Sequence, residues 1–120
     1  MDIPLELAFH NMSPSAALDA AVRRQVAGLG KFHDHIIGCR VVIEMPHKRH
    51  RLRSNAPDVH ILLRVPGREI VVSRELAHAG ERKSATNAYA VLSDAFSAVQ
   101  KKLKQYHRVV RGEVKARAQS

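Results

Sequence analysis

The sequence is short of several things at once. Cys39 is its single cysteine, so no disulfide can form within the chain. Its stability must come from an apolar core, and a reducing compartment is the natural setting. It has no tryptophan, three Phe and two Tyr. Single-strand readers stack bases on rings displayed across a sheet, and five rings leave little for such a platform once a core is built. No apolar run approaches the roughly 20 residues that span a bilayer. The opening MDIPLEL has neither the basic nor the apolar segment of a signal peptide. A cytoplasmic location with no membrane partner is therefore expected. Also missing are a P-loop, a G-x-G-x-x-G and a G-x-S-x-G. Glu44, Glu69 and Asp94 have no evident catalytic partner in the sequence, so the expectation is no enzyme, no cofactor and no small-molecule substrate.

Acidic residues are scarce as well: 11 against 20 Lys and Arg, a net charge of +9. The imbalance is not uniform. Residues 1–46 carry four basic and five acidic groups, whereas 47–120 carry sixteen and six. An excess confined to one part of a chain points to a polyanion, and nucleic acid is the first choice. Eight histidines raise metal binding, through His33 with His35 and His47 with His50. The second pair lies among cations that oppose a metal ion, and the cysteine falls on a core face, so no metal is expected.

Apolar spacing outlines one domain. Ile3, Leu5, Leu7 and Phe9 alternate as a strand with one buried face, with Pro4 near its start or at an edge. A helix follows, with Ser13 as N-cap, Pro14 in its first turn, and Leu18, Val22, Val26 and Leu29 as its stripe. Gly28 and Gly30 mark its exit. Residues 36–46 form a strand with Ile37, Cys39, Val41, Ile43 and Met45 on one face. Residues 58–65 repeat the pattern, and Pro66-Gly67 turns the chain into a fourth strand at 68–73. Residues 76–87 read as a loop in which Ser84 or Thr86 caps the next helix. That helix carries Tyr89, Leu92, Phe96, Val99, Leu103 and Tyr106 at three- and four-residue steps. The order β-α-β-β-β-α predicts an α+β, two-layer sandwich: a four-stranded sheet with both helices on one face. The domain spans 1–110, and 111–120 is a basic, flexible tail.

The cations concentrate in a few places. HKRHRLR, residues 47–53, puts Lys48, Arg49, Arg51 and Arg53 in a loop between two strands. On the last helix Lys101, Lys104, Arg108 and Arg111 fall opposite Val99, and Lys102 is a further candidate on the same helix. No acid interleaves them to form i, i+4 pairs. Arg24 and Lys31 lie on the outer side of the first helix, and Arg82 and Lys83 precede the second. The plainer reading is a solvated basic surface; the functional one is a set of RNA phosphate contacts. The outward sheet face, Arg40, Val42, Leu62 and Arg64, offers no rings, so reading of phosphate and shape is expected rather than reading of bases.

The run NAYAVLSDAFSAVQKKLKQY, with PGREIVVSRE, the closing RGEVK, Ser13-Pro14 and Lys31-Phe32, resembles the family of the hibernation-promoting factor, the ribosome-associated inhibitor (protein Y) and the sigma-54 modulation proteins. The resemblance covers about residues 3–115 and rests most on Tyr89, Leu92, Lys101 and Leu103. Asn87 stands where the family has an acid, and Gly28 where it often has a lysine. The resemblance implies a fold like that of double-stranded RNA-binding domains. It implies binding to small-subunit ribosomal RNA in the decoding channel, which blocks messenger and transfer RNA under stress or in stationary phase. With the chain ending at 120, a short-type, monomeric factor without a dimerisation domain is expected. Two other readings stay open: a general structured-RNA-binding domain, and a protein-interaction modulator of a sigma factor.

Overall fold

The computed structural model describes residues 3–45, 57–74 and 88–119, with side chains up to Val110. Its elements are β1 (Leu5–His10), α1 (Ala16–Phe32), β2 (Gly38–Glu44), β3 (Asp58–Val65), β4 (Arg68–Arg74) and α2 (Ala88–Gln119). The β-α-β-β-β-α order is the predicted one. The sheet runs β1-β2-β3-β4. β1 pairs parallel to β2, which α1 makes possible by carrying the chain back. The other two pairings are antiparallel.

Alternation decides which face is buried. Cys39, Val41 and Ile43 of β2, Val59, Ile61, Leu63 and Val65 of β3, and Ile70 and Val72 of β4 form one apolar sheet face. The registers Val41↔Ile61 and Ile61↔Val72 align these rows across the strands. Leu18, Val22, Val26 and Leu29 of α1 and Leu92, Phe96, Val99, Leu103 and Tyr106 of α2 close over them, so both helices lie on that face. Ile3, Leu5, Leu7 and Phe9 pack at its margin as partly buried residues. Burial pushes the Cys39 thiol up to about 11. It is therefore a small core group rather than a reactive one.

The turn between β3 and β4 shows why two residues suffice. Pro66 fixes φ near about −65°, and Gly67 adopts φ +83°, which a type II turn requires at that position. The Tyr106 hydroxyl donates to the Pro66 carbonyl at 2.8 Å. The Arg68 guanidinium lies 5.6 Å from the centre of the Tyr106 ring. One turn of α2 is thus pinned to the hairpin tip.

Several expectations need correction. Ser15, not Ser13, caps α1: its backbone is extended and its hydroxyl accepts the Leu18 N–H at 3.2 Å. A start at Ser13 would wind Pro14 and Ser15 into the helix without burying more apolar surface. The two glycines do not end α1, which runs to Phe32. Ile37 lies before β2 and is exposed. Tyr89 is 52% exposed rather than core; it sits about 80° off the Val99 direction, at the edge of the stripe. The helical backbone does not stop at 110 but continues to Gln119. Good helix formers dominate the segment EVKARAQ, and the single Gly112 does not interrupt it. The 76–87 loop and its capping residues lie outside the described residues.

Candidate RNA interface

The two surfaces of the sandwich treat charge differently. On the outer sheet face the arginines are matched among the described residues. Arg64 faces Glu69 across β3 and β4 at 3.3 Å, and Arg40 faces Glu6 at 3.9 Å. The first of these follows from register, since Arg64 and Glu69 are direct cross-strand partners. At the far end of β4, Arg74 reaches Asp94 of α2 at 2.7 Å. On α1, Arg23 is paired with Asp19 one turn earlier at 2.6 Å.

The helix layer is different. Arg24, Lys31, Lys101, Lys104 and Arg108 are exposed, and none has an acidic partner within ion-pair distance among the described residues. The predicted ridge is real in geometry: Lys101, Lys104 and Arg108 point away from the buried Val99, Leu103 and Tyr106. Asp94 is the one acid in α2 before Glu113, and it lies two turns upstream, engaged with Arg74. Lys102 separates from the ridge. It leans toward the sheet, where its Nζ donates to the Val71 carbonyl at 2.9 Å on the open edge of β4. Of the other cations singled out from the sequence, Lys48, Arg49, Arg51, Arg53, Arg82 and Lys83 lie outside the described residues. So does the side chain of Arg111, although its backbone is helical.

The fold also assembles a cluster that sequence reasoning missed. The end of α1 and the later turns of α2 bound an open cleft of about 530 Å³. His33 and His107 stack there, with ring centres 5.2 Å apart and planes 7° from parallel. Burial, then His107, then Lys104 hold the His33 imidazole below its usual range. His107 Nε2 is sealed from solvent and has no hydrogen-bond partner among the described residues. Phe32, on the same cleft, is 79% exposed. One signal was available: Phe32 sits about 80° off the Val22 direction, at the margin of the α1 stripe. Nothing in the sequence pairs His33 with a residue in the other helix. No group of three or more His, Cys, Asp or Glu that could hold a metal occurs among the described residues. Nor, in the same residues, is any helix long and apolar enough to cross a membrane.

Comparison with known proteins fits this geometry. The family model for the sigma-54 modulation protein / S30EA ribosomal protein matches residues 5–111. Two solved structures share the fold. A ribosomal subunit interface protein from Coxiella burnetii superposes with a TM-score of 0.66 at 14% identity, covering 88% of this chain and 99% of the other. The N-terminal domain of Thermus thermophilus protein Y gives 0.64 at 20% identity, with the same coverages of 88% and 99%. No curated protein sequence matches the chain. With nearly its whole length matched by one family model, the chain belongs to the sigma-54 modulation protein / S30EA ribosomal protein family, whose members are ribosome-associated factors.

Proposed function

We propose that this protein binds ribosomal RNA of the small subunit in the decoding channel and there excludes messenger and transfer RNA, silencing ribosomes in the cytoplasm under stress. The observation that carries the reading is the sorting of charge among the described residues: Lys101, Lys104 and Arg108 stand exposed without acidic partners, while the arginines of the outer sheet face are matched. A row of like charges with nothing to neutralise it costs stability, and a phosphate backbone removes that cost. A rigid two-layer domain presenting this row suits a groove walled by folded RNA, read by phosphate position and shape. Arg24, Lys31, Lys102 and Arg111 extend the contact surface in this reading. Lys48, Arg49, Arg51, Arg53, Arg82 and Lys83 are further candidates from the sequence. The protein acts as a monomer, without a cofactor and without catalysis.

The test is co-sedimentation with separated ribosomal subunits over a salt series. Selective binding to the small subunit that persists at physiological salt is expected. Equal binding to both subunits, lost steeply as salt rises, would reduce the interaction to counterion release by a basic protein and remove the assignment. Equal affinity for plain RNA duplex would favour the general structured-RNA reading, which the same ridge also supports.

A further inference from the structure

We propose that the cleft between the end of α1 and the later turns of α2 holds one unpaired RNA nucleotide, its base against the Phe32 ring and its phosphate between Lys104 and Arg108. The proposal rests on the ribosomal RNA reading above and names a contact within it.

Four observations meet at this place. Phe32 is 79% exposed, the most exposed large apolar side chain among the described residues. An isolated ring held in water buries nothing, but it offers the flat face on which any base can stack. Lys104 and Arg108, one turn apart on α2, line the same cleft and have no acidic partner at ion-pair distance among the described residues. They supply the cations for the phosphate attached to that base, and Arg can bond two phosphate oxygens at once. Among the described residues His107 leaves a buried nitrogen without a hydrogen-bond partner, and such groups are few in native folds. His35, also on the cleft, is held at φ +68°, a left-handed conformation uncommon outside glycine.

Asp34 also lines the cleft and does not fit a bare anion site. It fits a nucleotide. A carboxylate accepts from the N–H groups that a base presents along its pairing edge, and an unpaired base leaves that edge open. The outer sheet face has no Phe or Tyr at all, so stacking has no competing platform there among the described residues. Protonation adds a further expectation. The His33 imidazole is held below its usual range by burial, then His107, then Lys104, while Arg108 lines the same cleft from α2 and Asp34 and His35 follow it in the chain. A phosphate arriving between Lys104 and Arg108 offsets that positive field, so binding should strengthen as pH falls.

The experiment uses the full chain and two RNA hairpins of identical stem, one fully paired and one with a single bulged 2-aminopurine. The bulged hairpin should bind more tightly and its fluorescence should be quenched on binding. Phe32→Ala should weaken binding to the bulged hairpin by about tenfold or more, as expected for loss of one base–aromatic stack, with little change for the paired one. Because Phe32 is exposed, the fold should survive the substitution, and a matched melting curve verifies this. Equal affinity of the wild-type chain for both hairpins overturns the proposal, as does an unchanged preference in Phe32→Ala. Co-sedimentation with separated subunits, run in parallel, keeps the two readings apart. Small-subunit selectivity without a bulge preference removes the nucleotide site alone. A bulge preference without subunit selectivity removes the proposed ribosomal target and leaves the site standing.

Discussion

Replacing Lys101, Lys104 and Arg108 together by Gln removes the three cations of the α2 ridge without reversing charge. All three are exposed, and none is in an ion pair among the described residues, so the substitution breaks no contact that holds the fold. Stability should stay within about 0.5 kcal/mol per site of the parent. Binding should not. Each phosphate contact contributes roughly 0.7–0.9 to the slope of log affinity against log salt. Three lost contacts should flatten the slope by about 2–3 and lower affinity at 0.1 M salt by roughly two to three decades. Small-subunit sedimentation over a salt series reads both quantities. The control is Arg40→Gln with Arg64→Gln on the sheet face, where each guanidinium faces a carboxylate; slope and affinity should move little. If the ridge variant and the control behave alike, the cations act only through net charge, and the reasoning from unmatched position fails.

Other expectations concern the fold. Leu103 is fully buried between α2 and the sheet, so Leu103→Ala should cost about 2–5 kcal/mol in denaturant unfolding; a smaller loss would mean the α2 stripe is not seated as described. Tyr106→Phe keeps the ring under Arg68 but removes the 2.8 Å bond to the Pro66 carbonyl, and should cost about 0.5–1.5 kcal/mol, with no loss if that hydroxyl is free in solution. His33 sets a pH dependence of known sign. Its imidazole is held below 6.5 in the fold, first by burial and then by His107 and Lys104, with Arg108 also on the cleft and Asp34 and His35 beside it in the chain. The unfolded chain takes up that proton first, so stability should be full above pH 6.5 and fall as pH drops through the folded value. His33→Gln should lose this component, and an identical pH profile in parent and variant would refute it.

Most of the fold was legible because burial here is one-sided. A strand such as Val59-His60-Ile61-Leu62-Leu63-Arg64-Val65 states its inner face by alternation alone, and the helical stripes do the same at their own period. Ends were less legible. Ser13 and Ser15 are equally good caps by residue type, and the bond from the Leu18 N–H to the Ser15 hydroxyl identifies Ser15 as the cap in the fold. Tyr89 and Phe32 lie at the margins of their stripes, where spacing permits either fate and the neighbouring element decides. The ridge at 101, 104 and 108 could be read because it lies on one helix. The cleft could not: His33 and His107 are far apart in sequence, and only the packing of α1 against α2 brings their rings together.

The matched outer sheet face has a consequence for arrival as well as for grip. A protein with unmatched cations on the helix layer and paired charges on the sheet carries a lopsided field. That field acts over roughly one Debye length, about 8–10 Å. Near a wall of phosphates such a field would turn the proposed binder helix-side first before any atom touches. In that seating the outer sheet face, whose arginines are matched among the described residues, would be left facing other molecules and would offer a second nucleic acid strand little attraction.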